Sequence, residues 1–157
     1  MSVMLRLTES EIIHGSMCGS MRHAQNKTFG RRARHRDPFS SQYMTHIEAA
    51  FGELAVARFL GRHWTGMSAL GNIEACDVSG GIEVRTSIHD GAHLIVHSYD
   101  HDDAPIVLVT GAAPCLTLRG WILGRDAKRE EFLRDRDYWV PQDSLDPIVT
   151  LRSWLGR

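Results

Sequence analysis

Wound as a helix, residues 47–60 are apolar on almost every side: Ile47, Ala49, Ala50, Phe51, Leu54, Ala55, Val56, Ala57, Phe59 and Leu60. A helix apolar all round has to be covered on most of its surface, so it belongs at the centre of a fold. Thr45-x-x-Glu48 reads as a capping box that opens it, and Gly61 as the C′ residue that closes it. Glu53 sits in the middle of this apolar stretch. An ionised carboxylate there is costly unless it meets a cation, a metal or a hydrogen-bond donor. Two kinds of partner fit: an arginine such as Arg85, or a metal ion.

The elements that would cover this helix can be read from the remaining pattern. Thr8-x-x-Glu11 is a second capping box, opening a helix with Ile13, Met17 and Met21 at i+4 spacing and fading near His23. Residues 26–41, rich in Gly, Arg, Pro and Ser, read as a long loop. Strand-like pieces follow at 67–70, 77–78, 81–86, 93–98, 105–110 and 115–123, separated by Gly-, Asp- and Pro-bearing turns. Residues 126–134 read as a short polar helix, 138–140 as a last strand piece, and Pro141 leads into a turn near Ser144. Helices first and strands in the middle give an α+β chain with a mixed sheet flanked by helices. The 157 residues suit one domain, organised as an N-terminal helix and basic arm (1–44) and a core (45–157).

Composition excludes several classes. No apolar run approaches the roughly 18–20 residues of a membrane span, and the amino terminus turns polar at Thr8, too early for a secretion signal. Three distant cysteines, Cys18, Cys76 and Cys115, make neither a disulfide framework nor a zinc spacing, so a cytoplasmic protein is expected. The net charge of −1 conceals a split: residues 1–46 sum to +4 and residues 47–157 to −5. Residues 22–36 hold six bases and no acid, among them Arg31, Arg32, Arg34 and Arg36. Arginine forks suit bidentate phosphate contacts, so this run reads either as an arm that tracks a nucleic-acid backbone or as a solvated loop. There is no Gly-rich phosphate loop, and no serine or cysteine nucleophile is paired with a base.

A second group of acids surrounds a tight turn. Asp77-Val78 precedes Ser79-Gly80-Gly81, and Ile82-Glu83-Val84-Arg85-Thr86 follows. On a strand Glu83 and Arg85 share one face while Ile82 and Val84 face the core, and a hairpin through 79–81 would bring Asp77 beside Glu83. Two adjacent carboxylates repel unless a hard cation such as Mg²⁺ bridges them.

Gly52-Glu53 in its helix, then Asp77, then Glu83-Val84-Arg85-Thr86-Ser87, resembles the PD-(D/E)XK nuclease superfamily, most closely its small bacteriophage-encoded members. Residues 106–111, 120–122 and 138–142 look like the tail of those phage proteins, so the resemblance spans roughly residues 45–151. It implies a restriction-endonuclease-like core and a Mg²⁺- or Mn²⁺-dependent nuclease acting on DNA in a bacterial host. Asp77, Glu83 and the Val84 carbonyl would hold the metal, and Glu53 would bind a second metal or orient its water. Arg85 would stabilise charge on phosphorus, and Arg31, Arg32, Arg34 and Arg36 would hold the backbone. Related enzymes often act as homodimers. Two positions depart from the pattern: Cys76 stands where proline is usual, and Arg85 where lysine is usual. Arginine stays protonated and cannot act as a base. The alternative is a nuclease-fold protein without catalysis that binds DNA or a host protein.

His89, His93, His97 and His101 recur every fourth residue. On a helix that would be a metal ladder, but residues 91–99 read as a strand with His93 and His97 on one face. They could line the cleft beside Glu83 and Arg85 or form a zinc site, with polar-face histidines as the plain reading.

Overall fold

The computed structural model describes residues 1–28, 42–64, 66 and 76–156, with Gln42 described by its backbone alone. The expected strand at 67–70 and the arginines at 31, 32, 34 and 36 lie outside the described residues. The architecture is α+β, a mixed sheet flanked by helices. Strand β1 (Val3–Arg6) leads into α1 (Glu9–Thr28), α2 (Gln42–Leu60), β2 (Glu83–Ser87), β3 (Leu94–His97), β4 (Pro105–Ala112) and β5 (Cys115–Leu123). A short α3 (Gly124–Ala127), a 3₁₀ turn (Glu130–Phe132), β6 (Leu133–Arg134), β7 (Asp137–Val140), a second 3₁₀ turn (Gln142–Ser144) and α4 (Thr150–Leu155) complete the order. One sheet runs β1-β5-β4-β2, with β2 parallel to β4 and the other pairs antiparallel. A second, antiparallel sheet runs β3-β7-β6.

Strand β4 explains the layering. It is buried on both faces, so its apolar residues run on without alternation. Val107 and Val109 join a core with Ala50, Phe51, Ala55, Val56 and Trp64, while Ile106 and Leu108 join a second core with Leu94, Val96 and Val140. Helix α2 therefore covers one face of the main sheet, and the β3-β7 side covers the other.

Several local expectations need correcting. The Thr8 box forms as read: the Thr8 N–H donates to Glu11 Oε2 at 2.7 Å and the Glu11 N–H to Thr8 Oγ1 at 3.3 Å. Helix α1 continues to Thr28, and its buried face is Gly15, Cys18, Gly19 and Arg22, while Ile13, Met17 and Met21 are exposed. The two glycines decide this: a Cβ on Gly19 would come within 2.6 Å of Ile47 Cα, and one on Gly15 within 2.7 Å of the Phe51 ring. Close approach of two helix backbones along the glycine face contributes more packing than a methionine stripe held farther off. Helix α2 begins at Gln42, so Thr45 lies inside its first turns and not at the N-cap position expected of it. Its far end matches the reading: Gly61 has φ +66°, the Gly61 N–H donates to Arg58 O (3.2 Å) and the Arg62 N–H to Ala57 O (2.9 Å). The polar stretch 126–134 is a short helix, a 3₁₀ turn and a strand rather than one helix. Strand β1 and helix α4 carry too few residues for a periodic signal and were not expected.

Candidate active site

The turn at Ser79-Gly80-Gly81 is closed by paired hydrogen bonds between Val78 and Ile82, with both glycines at positive φ (99° and 77°). This sets Asp77 opposite Glu83 at the start of β2. Asp77 Oδ2 accepts the Val84 N–H at 2.8 Å. Burial, then the neighbouring charges of Glu53 and Glu83, push the Asp77 carboxyl up to about 8, so it stays largely protonated at neutral pH.

Alternation along β2 then sorts the charges. Ile82 and Val84 join the core under α2, and the Thr86 side chain faces Gly52 of that helix. Glu83 and Arg85 therefore point to the opposite face, half-buried. Arg85 spreads its fork between two groups. Nη2 donates to both oxygens of Asp100 (3.0 and 2.9 Å), and Nη1 donates to Glu83 Oε2 (3.3 Å) and the Val84 carbonyl (3.4 Å).

Glu53 is 3% exposed and its partner is Arg22, not Arg85. The two form a bidentate pair, with Nη1 to Oε1 at 2.6 Å and Nη2 to Oε2 at 2.5 Å. Trp64 Nε1 adds a third donor to Oε2 at 2.9 Å, and Arg22 Nε donates to Gly66 O at 3.1 Å. Both oxygens of Glu53 are thus engaged on the α2 side of β2, Glu83, Arg85 and Asp100 meet on the opposite face, and Asp77 at the hairpin is near enough to feel the charges of both groups. Among the described residues, no group of three or more His, Cys, Asp or Glu side chains is disposed to hold a metal ion.

Arg22, Trp64 and Asp100 are the site residues that the sequence reading missed as such. The signal for Arg22 was present in the Gly15-x-x-x-Gly19 spacing, with Arg22 at i+7 on the same face. Asp100 carries no such mark, because its role depends on a turn that folds it back onto β2. Leu94 and Val96 are buried, and His93 and His97 flank them with Ile95 on the more exposed face, as the alternation implied. His97 Nδ1 lies 2.9 Å from Asp137 Oδ1 and its ring stacks on Tyr99. No helix among the described residues is long and apolar enough to cross a membrane. Comparisons with family models, curated proteins and solved structures found no match to this chain.

Proposed function

We propose that this chain is a metal-dependent phosphodiesterase of restriction-endonuclease-like fold that acts on DNA through Asp77, Glu83 and Arg85. The observation that carries this reading is the hairpin, which sets the Asp77 carboxyl, held by the Val84 N–H, opposite Glu83, with Arg85 donating to Glu83 on the face of β2 that they share. Carboxylate oxygens are the donors that a hard divalent ion takes. Mg²⁺ is commonly held by one or two carboxylates, with water and substrate phosphate completing its shell. Asp77 and Glu83 would supply two such groups, with the Val84 carbonyl beside them. Glu53 fits less well as a ligand because its oxygens are engaged by Arg22 and Trp64; its charge instead strengthens the negative potential at Asp77. When bound, Mg²⁺ or Mn²⁺ would lower the pKa of a water and offset charge on the scissile phosphate.

The protein groups then have separate tasks. Asp77 and Glu83 hold oxygen donors at the mouth of the hairpin. Arg85 remains protonated, so it stabilises charge and accepts no proton. The attacking water forms the new P–O bond and gives its proton to solvent. The ester P–O bond breaks, and the leaving oxygen takes a proton, giving a phosphomonoester and a hydroxyl end. The basic segment containing Arg31, Arg32, Arg34 and Arg36 would supply backbone affinity without sequence information.

Supercoiled plasmid with Mg²⁺ or Mn²⁺ tests this, comparing the native chain with Asp77→Ala and Glu83→Ala. Metal-dependent nicking lost in both variants is the expected result. Cleavage that persists equally in both overturns the site. One observation favours a second reading, a nuclease-fold protein that binds DNA or a host protein without cutting: Glu53 and Glu83 each have an arginine partner. DNA binding with no metal-dependent cleavage on several substrates would select it.

A further inference from the structure

Asp100 belongs to an acidic run, Asp100-His101-Asp102-Asp103, that reads in sequence as a solvated turn. Its side chain is 6% exposed, whereas those of Asp102 and Asp103 are 65% and 83% exposed. The difference has a local cause. The Asp100 N–H donates to His97 O at 3.1 Å, which folds the chain back after β3, and the His97 N–H donates to Asp100 Oδ2 at 2.9 Å. Lys128 Nζ fixes the same turn from the far side, donating to Asp100 O at 2.5 Å. The carboxylate is therefore held before it meets Arg85, and it takes that side chain by one terminal nitrogen only, Nη2. The other nitrogen, Nη1, is left directed at Glu83 Oε2 and the Val84 carbonyl.

A lysine needs no such arrangement, since its ammonium is a compact charge with three rotatable donors. A guanidinium is planar, and its plane decides whether it presents donors or an inert face. Arg85 is half-buried, and its fork has to be held in one orientation if it is to present donors and not its face. The Asp100 clamp selects the one that aims Nη1 at the Asp77–Glu83 edge. From this we infer that Asp100 is a positioning residue, which orients Arg85 so that arginine can serve where lysine is usual; the inference rests on the phosphodiesterase reading above. The Asp100 side chain is buried and reaches the site through Arg85.

The test is steady-state plasmid or oligonucleotide cleavage with Mn²⁺ by the native chain, Asp100→Asn, Arg85→Lys and the double variant. Asp100→Asn keeps the shape and an oxygen acceptor for the His97 N–H but removes the charge that grips Nη2. The expected result is a fall in kcat of about 10- to 100-fold, the usual range for loss of an orienting partner, with KM and Mn²⁺ affinity unchanged. In the Arg85→Lys background the same substitution loses its effect on kcat, because an ammonium has no plane to orient. A merely structural Asp100 would lower activity by the same factor in both backgrounds, and that outcome overturns the inference while leaving the enzyme reading intact. An Asp100→Asn variant with native kcat overturns it equally. Absence of metal-dependent cleavage by the native chain removes the enzyme reading, and the inference with it.

Discussion

Arg22 and Glu53 offer the sharpest measure of how this fold tolerates a charge in its core. Both residues are buried, 8% and 3% exposed, and they share two hydrogen bonds of 2.6 and 2.5 Å. Arg22→Met removes the cation and leaves a carboxylate whose described donor is Trp64 Nε1. Glu53→Leu leaves the guanidinium with Gly66 O as its described acceptor. Breaking a buried pair from one side costs about 3–5 kcal/mol, because the surviving charge stays desolvated. Against a total stability of about 5–15 kcal/mol for a domain, each single variant should be marginal. Replacing both ends with apolar groups removes the stranded charge, so the double variant Arg22→Met/Glu53→Leu should be more stable than either single one, with a coupling of about 3 kcal/mol. Urea unfolding followed by tryptophan fluorescence measures all four states of the cycle. Single variants that cost under about 1 kcal/mol each and sum without coupling would refute the reasoning.

Three further outcomes follow from the same geometry. The folded-state pKa of Asp77 lies at about 8, above its unfolded value near 3.8. The folded state then binds the extra proton, and stability of the metal-free protein falls as pH rises from about 4 to about 8, by up to about 1.4 kcal/mol per pH unit. Asp77→Asn should flatten that slope in urea titrations across the window, and an unchanged slope refutes the assignment. Gly52→Ala would drive a Cβ into Thr86 Oγ1 where α2 meets β2, so it should destabilise by about 1–3 kcal/mol in thermal unfolding, and an unchanged midpoint would refute the close contact. Thr8→Ala removes the cap of α1 and should cost about 1 kcal/mol in the same measurement; no change would mean that the capping box is not formed in solution.

The parts of the site that were legible are those governed by near neighbours in the chain. The Ser79-Gly80-Gly81 turn requires residues that tolerate positive φ, and it pairs Val78 with Ile82, so Asp77 falls opposite Glu83 by register alone. Alternation then assigns Glu83 and Arg85 to one face of β2. The partner of Glu53 was not legible. Strand alternation turns Arg85 away from α2, and the cation that reaches Glu53 comes from a helix thirty-one residues earlier in the chain.

The amino-acid sequence by itself determined the central apolar helix and its Gly61 stop, the Thr8 cap and the hairpin. Each of these follows from periodicity or from the backbone freedom of a few residues. Only the tertiary structure decided that α1 packs through Gly15 and Gly19 rather than through Ile13, Met17 and Met21, that Arg22 thereby enters the core, and that Asp100 closes on Arg85. Those outcomes depend on how closely two backbones can approach and on which buried charges must find a partner, and neither is written in local spacing.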